Sequence, residues 1–115
     1  MNQDCIFCKI IAGEIPSTRV FEDEQVLAFR DIHPSAPVHI LIVPKKHIAS
    51  LNALESGDER LAGHLLTAAR EVAEQEGVAS SGYRSIINTG PDGGQDVFHL
   101  HLHLLGGQKM RHPLG

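Results

Sequence analysis

The 115-residue sequence predicts an α+β fold, a single antiparallel sheet carrying one short and one long helix. Three observations predict it. Five short runs at residues 19–22, 26–30, 38–43, 83–88 and 97–105 are rich in β-branched, leucine or aromatic residues and are bounded by turn formers. One longer stretch, to about residue 76, has apolar residues at helical spacing. The order is short helix, three strands, long helix, two strands, without the strand–helix alternation of a parallel sheet.

Taken along the chain, Asp4 is placed to cap a helix over 5–12, with Ile6, Phe7, Ile10 and Ile11 apolar and Gly13 to end it. The polar turn Asp23-Glu24-Gln25 joins the first two strands, and Pro34 and Pro37 mark a loop before the third, which Pro44 stops. Ser56-Gly57-Asp58-Glu59 matches a capping box, and Gly77 closes the helix behind it. Leu61, Leu65, Ala68 and Val72 form one apolar row on that helix, and Ala62, Leu66, Ala69 and Ala73 a second. Such a stripe is wider than one sheet face requires, so a second copy of the chain is expected to cover the surplus.

Length and an apolar content of 42 % suit one core, read as a single domain over residues 1–115. A formal charge of −4 with interspersed signs argues against a reader of nucleic-acid backbones. No run reaches the length of a membrane span, and Met1 to Asp4 lacks the start of a secretory leader. Cys5 and Cys8 are too few and too close for a disulfide framework, so a reduced, cytoplasmic setting is expected.

The most informative segment is His99-Leu100-His101-Leu102-His103-Leu104-Leu105. On a strand, alternate residues share a face about 6.6 Å apart. The three histidines then line one face while the leucines enter the core. Residues i and i+2 on a strand do not chelate one ion without help, and a solvated face would use Thr, Lys or Glu. A third reading, beside the metal site and the solvated face, is nucleophilic catalysis on phosphorus, with the middle imidazole attacking and its neighbours orienting it.

The histidine run is preceded by Gly-Gly-Gln and followed by Gly-Gly. With Ile6-Phe7, Glu14-Ile15-Pro16, Leu27-Ala28-Phe29, Asp31-Ile32, Ala36-Pro37, His39 and Val43-Pro44-Lys45-Lys46-His47, it resembles the histidine triad (HIT) family. The nearer likeness is to its nucleotide-binding, protein kinase C inhibitor-like branch. The resemblance implies a HIT-like fold, a homodimer, and hydrolysis of purine nucleoside phosphoramidates and some acyl-adenylates without a catalytic cofactor.

It implies His101 as the nucleophile, His103 as a donor to the α-phosphate, and His99 and His39 as the rest of a histidine relay. Asp31 would bind the ribose hydroxyls, and Asn88 the phosphate or leaving group. Ile6, Phe7, Ile10, Phe29, Ile32 and Leu41 would hold the base, and backbone amides around Gln95, Asp96 and Val97 would face the phosphate. Asp96 stands where animal members carry Ser; a carboxylate cannot donate, so only its amide is credited. Cys5, Cys8, His47 and His99 match a zinc site found in some members, and a structural zinc is left open. Dinucleoside polyphosphate cleavage, nucleotidyl transfer, or non-catalytic nucleotide binding are the alternatives.

Overall fold

A computed structural model describes residues 4–114. The expectation about a leader concerns Met1 to Gln3, which lie outside the described residues, as does Gly115. The elements are α1 (Ile6–Ile11), β1 (Arg19–Glu22), β2 (Val26–Arg30), β3 (Val38–Pro44), α2 (Glu59–Gln75), β4 (Tyr83–Ile86) and β5 (Leu102–Gly106). Two single 3-10 turns, Leu51–Ala53 and Ser56–Asp58, lead into α2. The strands form one antiparallel sheet in the order β1-β2-β3-β5-β4. The predicted α+β class and antiparallel five-stranded sheet are therefore observed.

The sheet separates two apolar layers. On one face Val26, Ala28, Ile40, Ile42, Leu102 and Leu104 pack under Leu65, Ala68, Ala69, Val72 and Ala73 of α2. On the other, Leu27, Phe29, Leu41 and Val43 meet Cys5, Phe7, Cys8 and Ile10 of the α1 segment. The alternation of side chains along β2 and β3 feeds both layers at once, which is why these strands read as unbroken apolar runs. Each fully buried aliphatic side chain stabilises the fold by roughly 1.5–3 kcal/mol.

Local chemistry shifts two of the expected helix caps. Helix α1 is capped by Cys5, not Asp4: the Cys5 Sγ accepts the Cys8 amide at 3.3 Å. Before α2 the reciprocal cap sits one residue earlier than expected. The Asp58 carboxylate accepts the Glu55 amide at 3.0 Å and the Lys46 ammonium at 2.7 Å, so Ser56 and Glu59 do not form the box. Of the two apolar rows on α2, Leu66 stays 58 % exposed.

The largest correction concerns the histidine run. The strand expected over 97–105 begins only at Leu102, so His103 alone of the three lies on it. The ladder between β3 and β5 ends at the Ile42–Leu102 pair, and Pro44, two residues on, has no amide to continue it. The Leu100 amide instead donates to Ile48 O at 2.7 Å. Leu100, Leu102 and Leu104 still enter the α2 layer, as the alternation requires. Similarly β4 stops at Ile86 and does not reach residue 88.

Candidate active site

Leaving the ladder frees backbone groups that then hold imidazoles. His99 is fully buried, and its Nε2–H donates to Pro44 O at 2.8 Å. The His99 carbonyl in turn accepts from His101 Nδ1 at 2.7 Å. A carbonyl can only accept, so Nδ1 carries a proton, and in the neutral ring the lone pair of His101 lies on Nε2. That ring is buried and held edge-to-face by Phe7, centroids 5.0 Å apart.

A second chain of bonds sets His103. The Ser35 amide donates to His39 Nδ1 at 3.0 Å, which places the His39 proton on Nε2. That nitrogen is 2.9 Å from His103 Nδ1, so His103 accepts there and carries its own proton on Nε2. Burial holds the His39 and His99 imidazoles below the usual histidine range. Burial, then the neighbouring His101 and His39, push His103 down to about 4. These three rings are neutral at pH 7.

Beside them lies a cavity of about 220 Å³. Ile6, Phe7, Ile10, Phe29, Ile32 and Leu41 all line it, together with Asp31, Asp96, Val97, His101 and His103. The six residues of the expected base slot and part of the expected phosphate end, Asp96, Val97, His101 and His103, therefore share one hollow. Asp31 is on the same wall, Oδ1 accepting the His33 amide at 2.8 Å and Oδ2 lying 3.4 Å from His39 Nε2.

Two expected site residues stand elsewhere. Asn88 is not on the cavity wall; its Nδ2 donates to Gly93 O at 2.8 Å inside the 90–95 loop. Gln95 is buried as a staple: Oε1 accepts the Gly90 amide, and Nε2 donates to Ala49 O and Val97 O. Its amide is also engaged, with Gly90 O at 3.0 Å. This loop is tight enough that a Cβ on Gly93 would lie 2.2 Å from Thr89 O, so a backbone clash excludes any side chain there. Sequence reasoning missed the His99 and Pro44 carbonyls and the Ser35 amide. Backbone groups carry no residue-type signal.

Cys5, Cys8, His47 and His99 also converge. Cys5 Sγ is 3.3 Å and Cys8 Sγ 3.6 Å from His99 Nδ1, and Cys8 Sγ is 3.3 Å from His47 Nδ1. Tetrahedral sites with Zn–N and Zn–S bonds of 2.0–2.3 Å separate their ligands by about 3.6 Å, so this donor set fits such an ion. With the His99 Nε2–H committed to Pro44 O, its Nδ1 lone pair is the one offered. His99 thus serves His101 through its carbonyl and the sulfur cluster through its ring, which removes any competition between the two roles. Asp31, His39 and His103 also form a three-ligand group. There the two imidazole nitrogens meet nearly head-on, with ring centroids 5.2 Å apart, a spacing that suits a shared proton.

Comparison with known proteins agrees with this picture. The HIT domain family model matches residues 12–110. The chain is 50 % identical over 115 residues to a purine nucleoside phosphoramidase of Escherichia coli, covering all of this chain and 93 % of that protein. It is 56 % identical over 113 residues to a 14 kDa zinc-binding protein of Zea mays, covering 96 % and 87 % of the two chains. The crystal structure of a HIT family hydrolase from Legionella pneumophila superposes with a TM-score of 0.94 at 53 % identity, covering 97 % and 100 %. With its fold, histidine run and full-length kinship in agreement, the chain belongs to the HIT domain family and is a hydrolase.

Proposed function

We propose that the chain hydrolyses purine nucleoside phosphoramidates of the adenosine 5′-phosphoramidate type, and acyl-adenylates, through a nucleotidyl-histidine at His101. The observation that carries this reading is the 2.7 Å bond from His101 Nδ1–H to the His99 carbonyl. It sets the tautomer whose lone pair is on Nε2, on a ring that lines the cavity. The kinship to a purine nucleoside phosphoramidase supports the substrate class.

In the first displacement the Nε2 lone pair forms a bond to the α-phosphorus as the P–N bond breaks. The bond pair leaves with the amine nitrogen, which takes a proton from water. In the second, water attacks phosphorus, the electron pair returns to Nε2, and the water proton passes to solvent. His103 Nε2–H donates to a phosphoryl oxygen as charge builds there, and His39 with the Ser35 amide holds that donor in its tautomer. Asp31 accepts from the ribose hydroxyls, and the apolar wall from Ile6 to Leu41 takes the purine. The amides of Asp96 and Val97 belong to the phosphate end.

The test is intact mass after rapid quenching with a fluorogenic adenosine phosphoramidate. A transient gain of one nucleotide, located on His101 and absent from His101→Asn, is expected. Steady turnover with no adduct at any quench time would overturn the two-step mechanism. Turnover confined to dinucleoside polyphosphates would overturn the substrate class.

The reading extends to a structural zinc on Cys5, Cys8, His47 and His99, which when bound would tie α1 to the segment behind β3. Burial pushes the Cys5 thiol up, so a cation is what would draw the thiolate out. Protein purified in zinc is expected to retain about one zinc per chain, and Cys5→Ser with Cys8→Ser to lose it. Metal analysis showing equal content in both proteins would refute the site. It extends also to a cytoplasmic homodimer, for which the exposed Leu66 on α2 and the outer edge of β4 are candidate contacts. Among the described residues no helix is long and apolar enough to cross a membrane.

A further inference from the structure

Asp96 stands beside the reactive nitrogen. Its Oδ1 lies 3.7 Å from His101 Nε2, and the two residues line the cavity together. The contrast in exposure is large, with the carboxylate side chain 80 % exposed and the imidazole 2 %. Nothing in the two-displacement scheme uses a carboxylate at this point. A phosphorus poised for attack sits about 3 Å from Nε2, so its charged oxygens come within roughly 5 Å of Asp96.

The charge of the nucleotide then matters. A nucleoside phosphoramidate carries one negative charge at phosphorus. The monophosphate released from it carries a second above its second pKa of about 6. We infer that Asp96 is a specificity-determining residue, a charge filter that admits singly charged phosphorus and expels the doubly charged product. The inference rests on the nucleotide reading above and adds to it a basis for choosing substrate over product. A unit charge at such a distance, in a site open to water on one side, discriminates by a factor of roughly 4 to 15.

Other titratable groups face this point: His101, His103 and Asp31 from the cavity, and His47 and Asp4 from the hollow on the other side of residue 96. Comparing the same ligand ratio in native protein and Asp96→Asn at the same pH leaves their contribution common to both proteins.

The experiment measures dissociation constants of adenosine 5′-monophosphate and its methyl ester, which keeps one charge at every pH used. Native protein, Asp96→Asn and Asp96→Glu are compared at pH 7.5 and pH 5.0. At pH 7.5 the ratio of the monophosphate constant to the methyl ester constant is expected to fall by roughly 4- to 15-fold in Asp96→Asn. Asp96→Glu is expected to keep most of the native ratio. At pH 5.0, where the monophosphate is largely singly charged, native protein and Asp96→Asn are expected to give the same ratio. An unchanged ratio at pH 7.5, or an equal fall at both pH values, overturns the filter while leaving the nucleotide reading intact. Binding of neither nucleotide overturns that reading and the filter with it.

Discussion

Replacing His101 with asparagine is expected to lower turnover of an adenosine phosphoramidate by three orders of magnitude or more, roughly 4 kcal/mol in transition-state stabilisation. Purine nucleotide binding should stay within a few-fold of native, because the apolar wall and Asp31 are untouched. The reasoning is geometric. Asparagine keeps an amide N–H that can satisfy the His99 carbonyl, so the buried acceptor at that position is not orphaned. What it removes is the lone pair on Nε2. Initial rates and a nucleotide titration on the same preparation check both halves. Retained turnover would remove His101 from the chemistry; negligible turnover in the native protein as well would make the chain a nucleotide-binding module.

Acidification is expected to have the second largest effect, on stability. His103 is held at about 4 by burial and by the neighbouring imidazoles, against 6.5 in an open chain. His39 and His99 are lowered in the same direction by burial. Between pH 6.5 and 4 the unfolded chain therefore binds protons that the native protein refuses. Stability is full above about pH 6.5 and falls as pH drops toward 4. His103 alone accounts for about 2 kcal/mol lost by pH 5, and the other two rings add to it. Urea unfolding of metal-free protein at pH 7.5, 6 and 5 checks this. A free energy flat across that range would mean that the rings are charged, or open to solvent, in the native state. Below pH 4 the loss continues, because Asp23, bonded to the Gln25 and Val26 amides and to His64, is held below its ordinary range.

A conformational consequence joins the two predictions. The same burial that makes His39, His99 and His103 acid-sensitive keeps them neutral. Some stability at low pH is thus given up for rings that each keep one donor and one acceptor nitrogen at pH 7. The His39–His103 pair acts in the same way, since a proton added between the rings would break the bond that orients His103.

Much of this was legible in the residues. The β-branched runs, the apolar rows of α2 and the alternation of leucines with histidines declared the sheet and its helix, because period and residue type are local properties. The resemblance to the HIT family drew His39, Asp31, the apolar wall and the histidine run into one expected site; Asp31, the apolar wall, His101 and His103 line one cavity, and His39 and His99 stand behind it, bonded to His103 and His101. The capping residues were misread by one position at both helices. Cys5 takes the Cys8 amide and Asp58 the Glu55 amide, and propensity does not say which of two adjacent capping residues is used.

What the sequence determined by itself was the inventory: which imidazoles, thiols and carboxylates exist, and the faces on which a regular backbone would set them. What only the tertiary structure decided was which nitrogen of each ring holds a proton. That choice depends on the carbonyls of His99 and Pro44 and on the amide of Ser35. Every residue has a carbonyl and nearly every residue an amide. The ending of the ladder at Ile42 and Leu102 selects the two carbonyls, and the loop before β3 brings the Ser35 amide to His39; a ladder ends through contacts between strands distant in the chain.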